Sequence, residues 1–355
     1  MTEPENRLLP FAYGTPRCRG VIRHTPEDFL VDEIPLLEAD GEGEHLLLHV
    51  EKRDSNTAWV AGVLARFAGV PRMDVSYAGL KDRHAVTRQW FSIRLAGKPE
   101  PDWDAIGSSE FRVLQTARHS RKLRVGALKG NRFRIRVRAF DGDEAALDAT
   151  LQHITREGIP NYFGEQRFGT DDANLAAARA LFSGELKRVK REQRGFYLSA
   201  VRSLLFNKVL AARVSAGNWN RPLAGERMML DGTRSSFPAA TVDDELRRRH
   251  REMDIHLSGP LWGRGEAMVT AEVAELESAV LLPERFWREG LEGFGLQMER
   301  RALRVPVSDL AWSRQGDLLE LGFSLPKGCF ATALLRECVD YRQSPSLDPL
   351  RESST

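Results

Sequence analysis

Residues 132–138, RFRIRVR, alternate basic and apolar side chains without interruption. Because successive side chains of a β-strand point to opposite faces, Phe133, Ile135 and Val137 share one face and four arginines share the other. The pattern predicts a strand with one face in the core and the other strongly cationic. The chain is therefore expected to contain a sheet with two chemically different faces.

Length and composition indicate a folded protein of about two domains. The chain has 355 residues, of which 42% are hydrophobic and 29% charged, as in ordinary globular proteins. The 52 basic and 50 acidic residues give a net charge of +2. Since the total charge is nearly balanced, a nucleic-acid surface would have to come from local clustering of basic residues.

The cysteines and the amino terminus bear on where the protein works. Cys18, Cys329 and Cys338 are an odd number without close pairs, which fits neither a disulfide framework nor a metal-binding motif. The first residues, MTEPENRLLPFAYG, lack the basic start and apolar run of a signal peptide, and no apolar stretch is long enough to cross a bilayer. We therefore expect a cytoplasmic protein with no membrane association, and the lack of a coiled-coil seam favours a monomer.

Changes in sequence pattern predict an interrupted domain. Strands are expected from Phe29, over 44–53 and on both sides of a turn within 72–95, with a helix over 55–69. A helix over 144–157 is followed by a more helical region. The pattern of short strands and turns seen in the first third of the chain returns over 304–340, with a strand at 318–325 and a helix at 331–338. The predicted division is a first domain part, an insertion, a second domain part and a frayed tail, at 1–156, 157–303, 304–340 and 341–355.

A basic segment over residues 118–138 holds nine Lys or Arg and no acid. A polyphosphate backbone is one partner for such a segment, because neutralised phosphates release counterions. A solvated strand face whose partners lie elsewhere in the fold is the alternative. A smaller cluster over 187–194 extends the basic character into the insertion. The candidate phosphate contacts are Arg118, Arg121, Lys122, Arg124, Lys129, Arg132 and Arg134.

Asp82 is the acidic residue best placed to act as a nucleophile or a base. It lies in the polar segment Gly79-Leu-Lys-Asp-Arg-His between two apolar strands, and Lys81 and Arg83 flank it. Neighbouring cations favour the ionised form of a nucleophile or base. An aspartate that makes a turn hydrogen bond is the alternative. Motifs for a metal site, a phosphate loop or a nucleophile elbow are missing, so neither a metal nor a cofactor is expected.

Several segments taken together, in order, resemble the TruD family of tRNA pseudouridine synthases. They cover about residues 18–340. The matching stretches are PEDF at 26–29, DGEGEH at 40–45, GLKDRHAVTRQW at 79–90, the segment 118–133 with GALKGN at 126–131, PNYFGEQRFG at 160–169, the segment 198–207 and the segment 325–332.

The resemblance implies an α+β fold, in which a catalytic domain with a mixed, mainly antiparallel sheet is interrupted by an α/β insertion, the TRUD domain. It implies isomerisation of uridine to pseudouridine in tRNA, typically at position 13 in the D arm, by base flipping and without metal or cofactor. Asp82 occupies the family's catalytic position. Three roles of its carboxylate remain open: attack on the sugar, attack on C6 of the base, and abstraction of a proton. Substrate contacts are implied for Phe29, Asn131, Phe133 and Phe330.

Two cations complete the predicted site. The family often has Lys where this chain has Arg23, and either can hold the catalytic acid, although the two side chains are not equivalent. Lys81, beside Asp82, is the other candidate. A non-catalytic RNA-binding protein on the same scaffold and a two-carboxylate hydrolase unrelated to RNA are the competing hypotheses.

Overall fold

The computed structural model describes residues 9–36 and 38–343. Within these ranges the chain forms seventeen β-strands and eight α-helices. The strands are β1 Cys18–Ile22, β2 Phe29–Pro35, β3 His45–Arg53, β4 Val75–Tyr77, β5 Val86–Arg94, β6 Phe111–His119, β7 Leu128–Gly142, β8 Ile159–Pro160, β9 Glu226–Leu230, β10 Ser236–Ala239, β11 Ile255–His256, β12 Ser258–Leu261, β13 Glu299–Ala302, β14 Arg304–Val305, β15 Ser308–Gln315, β16 Leu318–Pro326 and β17 Asp340–Gln343. The helices are α1 Thr57–Phe67, α2 Glu144–Glu157, α3 Ala173–Phe182, α4 Arg191–Ser215, α5 Asp244–Arg251, α6 Ala271–Leu281, α7 Arg285–Gly293 and α8 Ala331–Cys338.

The chain divides into two compact units. The sheet unit comprises residues 17–147, 307–328 and those from 339 onward. The helical unit comprises the residues up to 16, residues 148–306 and residues 329–338. The chain passes between the units at 147–148 and 306–307, whereas the predicted boundaries are at 156–157 and 303–304. Residues 9–16 and α8, which the sequence predicts to lie in the interrupted domain, belong to the helical unit.

The sheet unit is built on one sheet, which contains ten strands of the described chain. Seven of them follow the order β15-β16-β7-β2-β5-β3-β6, while β4 pairs with β5, and β1 pairs with both β7 and β17. The pairs β2–β5 and β1–β17 are parallel, and the other pairs are antiparallel. The mixed, mainly antiparallel sheet of an α+β fold is thus confirmed.

The alternation of residues 132–138 produces the predicted two-faced strand. Phe133, Ile135 and Val137 of β7 are buried, whereas Arg132 and Arg134 are exposed. We call the face that carries Phe133 the inner face and the face that carries Arg132 the outer face. On the inner face, α1 packs its apolar stripe against strands β3 and β5, in a cluster that includes Val60, Leu64, Leu48, Phe91 and Ile93.

The first residues of the predicted C-terminal tail lie in a strand. Residues Asp340–Gln343 form β17, which pairs in parallel with β1 and places Arg19 beside Asp340. This pairing satisfies backbone groups of β1 that would otherwise lie at a sheet edge. Residues 344–355 of the predicted tail lie outside the described residues.

The helical unit packs around α4. Its residues Val201, Leu205, Phe206 and Val209 are fully buried, and α3, α6 and α7 contact it. Three small antiparallel sheets, β10-β9-β11, β12-β13 and β8-β14, complete the unit. No helix among residues 9–36 and 38–343 combines the length and the apolar character needed to span a bilayer.

Candidate active site around Asp82

Asp82 lies on the loop between β4 and β5, and a hydrogen-bond relay fixes this loop to the inner face. The backbone N–H of Lys81 donates to the Thr57 hydroxyl at 3.1 Å, and that hydroxyl donates to Gln89 at 2.9 Å. The Gln89 amide in turn donates to the carbonyl of Gly79 at 3.1 Å. Thr57 begins α1 and Gln89 lies within β5, so two rigid elements hold the loop.

Lys52 contacts the same loop through a hydrogen bond to its backbone. Its side chain is fully buried, and its ammonium donates to the carbonyls of Ser55 at 2.6 Å and of Asp82 at 2.7 Å. Burial lowers the pKa of Lys52 from 10.5 to about 8. The backbone of Asp82 is therefore fixed by a lysine that the sequence analysis missed. A signal exists, because Lys52 continues the buried parity of Leu48 and Val50 on β3.

The side chain of Asp82 is held on one oxygen. Nη2 of Arg23 donates to its Oδ2 at 2.9 Å. The Arg23 side chain is 7% exposed, and that of Asp82 is 35% exposed. Among the described residues, none donates a hydrogen bond to Oδ1 of Asp82. One carboxylate oxygen is therefore oriented by a cation and the other is open to a ligand.

Arg23 is itself placed by backbone and aromatic contacts. Its φ of 55° lies in the left-handed region, which L-residues other than glycine rarely adopt. Its guanidinium lies 4.2 Å from the centroid of the Phe29 ring, a distance at which a cation is attracted to a ring face. Arg23, which stands where the family often has Lys, thus reaches Asp82, and the buried ring of Phe29, which is 1% exposed, packs beneath it.

Phe133 lies in a row of aromatic rings on the inner face. Its ring centroid is 6.3 Å from that of Phe29 and 5.3 Å from that of Phe323. The strand register explains the second contact, because Phe133 of β7 lies directly opposite Phe323 of β16. Phe323 is not among the predicted site residues, although its strand is predicted. The contacts from Asp82 through Arg23 and Phe29 to Phe133 bring four of the predicted residues together.

Lys81 makes a buried ion pair. Its ammonium lies 2.5 Å from Oε2 of Glu33, and the two side chains are 5% and 1% exposed. The other Glu33 oxygen accepts the backbone N–H of Trp90 at 3.3 Å. The sequence predicts Lys81 as a substrate contact, whereas the structure turns its charge toward Glu33, where it fixes the loop on which Asp82 lies.

Asn131 presents an acceptor that has no donor. It lies on β7, opposite Glu33 of β2 and opposite Leu325 of β16. Its Oδ1 is buried and has no hydrogen-bond partner among the described residues. A buried amide oxygen without a partner is costly, so such an atom is typical of a position that a ligand completes.

The cations of the basic segment separate into three groups. Arg121, Arg124 and Lys129 are exposed, and no side-chain hydrogen bond or ion pair of theirs is formed within the described chain. Arg118 pairs with Glu100 at 3.5 Å, and Lys122 donates to the carbonyl of Met73 at 2.7 Å. Arg132 and Arg134 lie on the outer face, across the sheet from Phe133.

The outer face also holds acids that neutralise part of its charge. Arg136 pairs with Glu320 at 3.0 Å, and Arg138 forms a bidentate pair with the buried Asp28. A cavity of about 170 Å³ lies on this face, lined by Leu30, Asp32, Arg88, Arg132, Phe133, Arg134, Asp309, Gly322 and Phe323. The alternating strand therefore places its four arginines on the face opposite to the one that holds the Asp82 loop.

Phe330 lies in the helical unit. It is half-buried and immediately precedes α8, where its carbonyl accepts the N–H of Ala333 at 3.0 Å.

No three His, Cys, Asp or Glu side chains of the described residues lie close enough together to hold a metal ion.

Comparison with solved structures shows which fold the chain shares. The chain resembles a solved structure from Methanosarcina mazei, a putative tRNA pseudouridine synthase D (TruD), with a TM-score of 0.72 and 24% identity over 95% of this chain and 98% of that one. This likeness shows that the two proteins share a fold.

The sequence comparisons then define the family. The family model described as tRNA pseudouridine synthase D (TruD) matches residues 8–189 and 173–338. The tRNA pseudouridine synthase D of Methylococcus capsulatus is 50% identical over 94% of each chain, and that of Nitrosococcus oceani is 49% identical over 95% of each chain. The chain belongs to the TruD family of tRNA pseudouridine synthases.

Proposed function

We propose that the protein converts uridine to pseudouridine in tRNA, at position 13 of the D arm, with Asp82 as the catalytic carboxylate. Family membership supports the reaction and the tRNA substrate. The observation that carries the role of Asp82 is its geometry, because Arg23 holds Oδ2 while Oδ1 accepts no hydrogen bond within the described chain.

The reaction rearranges bonds within one nucleotide. The C1′–N1 bond breaks, the uracil turns, and C5 joins C1′ while C5 loses a proton and N1 gains one. Asp82 is suited to the step because it is fixed in place before the substrate arrives. Attack on C1′, attack on C6 of the base and removal of a proton each need the open oxygen Oδ1, so all three routes use the same carboxylate.

The base is held by β7 after it leaves the RNA stack. Extrusion of a base from a folded RNA costs a few kcal/mol, which contacts in the pocket must offset. The partnerless Oδ1 of Asn131 is an acceptor for the N3–H of uracil, a group that cytosine lacks. Phe133 provides an apolar edge beside it, and Phe330 remains a proposed contact of the base.

The cations proposed to bind the RNA backbone are mainly those without an acidic partner in the described part of the chain. Arg121, Arg124 and Lys129 are exposed in and after the loop that follows β6, and Arg118 and Lys122 add charge to the same segment. Arg132 and Arg134 lie on the outer face, so they would bind a different stretch of the tRNA. Binding through phosphates predicts an affinity that falls steeply with salt. We propose that the protein works in the cytoplasm as a monomer.

The test compares wild type with Asp82→Asn on an unmodified tRNA transcript, followed by nucleoside analysis of the D arm. Asp82→Asn should form no pseudouridine and should bind tRNA with nearly unchanged affinity. Asp54→Asn is the matched control, because Asp54 is also half-exposed and paired with a neighbour of Asp82, His84, at 2.9 Å. Pseudouridine formation by Asp82→Asn at the wild-type rate would refute the role. A wild type that binds tRNA but modifies none would support the non-catalytic alternative.

A further inference from the structure

A strongly basic segment lies in the helical unit, outside the residues that we assign to the site around Asp82. We call residues 185–196 the α4 tip. It contains five basic and two acidic residues, a local charge of +3 in a chain that is nearly neutral. All five cations are exposed, and none makes an ion pair or a side-chain hydrogen bond within the described chain. They are Lys187, Arg188, Lys190, Arg191 and Arg194.

Another helix of the same unit shows what ordinary surface arginines do. On α5, Arg248 pairs with Glu245 at 2.7 Å and with Glu252 at 2.6 Å, and Arg249 pairs with Asp254. Acids near α5 thus pair with two of its four arginines, whereas Arg247 and Arg251 make no ion pair within the described chain. The cations at the α4 tip repel one another without such compensation, which a polyanionic ligand would provide.

The α4 tip also lacks packing. Residues 191–196 are exposed around the whole helix, and full burial of α4 begins only at Ala200. Most helices in proteins are stabilised by packing an apolar face, so more than one bare turn is unusual. Within this bare region Phe196 is 59% exposed. An exposed aromatic ring beside free cations is the combination that binds single-stranded nucleic acid, in which bases stack on the ring.

The start of α4 adds a third contribution. Its N-cap residue is Lys190, which makes no side-chain capping hydrogen bond. The first N–H groups of a helix point outward without intrahelical partners, and they carry the positive end of the helix dipole. A phosphate is bound well at such an end. Lys190, Arg191 and Arg194 surround this end with free positive charge.

We propose that the α4 tip binds tRNA, with its cations and the helix start on the sugar-phosphate backbone and Phe196 stacked on an unpaired base. The choice of tRNA rests on the proposed function, and the charge alone points to RNA. The helical unit then contributes affinity for the substrate, in addition to the basic loop of the sheet unit.

The charge component is tested by Lys190→Gln/Arg191→Gln/Arg194→Gln in the full chain. The matched control is Arg234→Gln/Arg247→Gln/Arg251→Gln, which removes three exposed arginines from the same unit. The dissociation constant for an unmodified tRNA transcript is measured at several salt concentrations. The α4 variant should bind about tenfold more weakly and reduce the slope of log K against log salt by about 2 to 3, while the control stays near wild type. An α4 variant that behaves like the control would overturn the proposal.

The stacking component is tested by Phe196→Leu and Phe196→Tyr. Leucine keeps an apolar side chain but has no ring, so the affinity should fall about tenfold, whereas tyrosine should retain it. Because the ring is exposed, neither change should affect folding. Equal affinity for the leucine and tyrosine variants would show that Phe196 does not stack on a base.

Two further outcomes separate this inference from the proposed function. If the wild type forms pseudouridine and the α4 variant binds tRNA as the control does, this inference fails alone. If the wild type forms none and the α4 variant still loses affinity, the proposed function fails and the RNA contact stands. A concentration-dependent dimer that the α4 changes abolish, with unchanged tRNA affinity, would mean that a second copy covers the tip, and it would overturn the proposal.

Discussion

Arg23 and Asp82 form a salt bridge of 2.9 Å in which the cation is almost completely buried and the carboxylate is about one-third exposed. The cation therefore holds the carboxylate from the protein side, and the exposed part of Asp82 is free to meet a substrate. The pair joins residues 59 positions apart in the sequence, and the aromatic ring of Phe29 beneath Arg23 connects it to the sheet.

If Asp82 is the catalytic carboxylate as proposed, Arg23→Gln should lower kcat by about 100-fold, because it removes the charged donor that orients Asp82. Arg23→Lys should recover part of that loss, since a single nitrogen of Arg23 makes the contact. Single-turnover pseudouridine formation at saturating enzyme measures both variants. A glutamine variant as fast as wild type would show that Asp82 needs no cation beside it.

The buried Glu33–Lys81 pair should be far more sensitive to single than to double replacement. Lys81→Met or Glu33→Leu leaves one charge buried and unpaired, which costs about 3–5 kcal/mol of the free energy of unfolding. The double variant leaves no unpaired charge and should be more stable than either single variant. Denaturant unfolding of the four proteins measures the coupling, and additive single effects would contradict the assigned pairing.

Lys52 should make the folding stability depend on pH in the alkaline range. Its pKa is about 8 in the folded protein and 10.5 when unperturbed, because burial disfavours the charged form. Between these values the unfolded chain binds the extra proton, so stability should rise with pH from about 8 to 10.5 relative to Lys52→Met. Urea unfolding of both proteins across this range checks the sign, and parallel pH profiles would show that Lys52 has an ordinary pKa.

Gly130→Ala should destabilise the contact of β7 with β16 next to Asn131. An added Cβ at Gly130 would overlap with the carbonyl oxygen of Leu325, which would force the two strands apart. Overpacking of this kind costs about 1–3 kcal/mol. Gly322→Ala is the control, because its Cβ would meet its nearest neighbour at 3.9 Å. If the two variants have equal free energies of unfolding, the close approach of Gly130 to β16 is contradicted.

Local patterns in the sequence predict most of the elements. The alternation of residues 132–138 predicts β7, the stripe of Val60 and Leu64 predicts α1, and the polar segment between apolar runs predicts the Asp82 loop. These signals arise within a few residues, so a single sequence contains them. The resemblance to the family supplies Arg23 and Asn131, whose partners in the fold are distant in the sequence.

Partners that depend on strand pairing could not be predicted in the same way. Glu33 meets Lys81 because β2 lies beside β5, and Phe323 meets Phe133 because β16 lies beside β7. Neither pairing follows from local sequence periodicity. The same reasoning explains β17, which pairs with β1 more than 300 residues away. Alternation predicts that Arg132 lies on the face opposite Phe133. Which of the two faces holds the Asp82 loop, however, depends on contacts between residues distant in the sequence.

The central claim is that the Asp82 carboxylate isomerises uridine in tRNA. Since the new C1′–C5 bond replaces the C5–H bond, tRNA transcribed with [5-³H]uridine releases tritium to water as pseudouridine forms. We predict that the wild type in excess over tRNA releases tritium from one uridine per molecule, and that Asp82→Asn releases none above the rate without enzyme. Release by Asp82→Asn at the rate of the wild type, with tRNA binding intact in both, would contradict the claim.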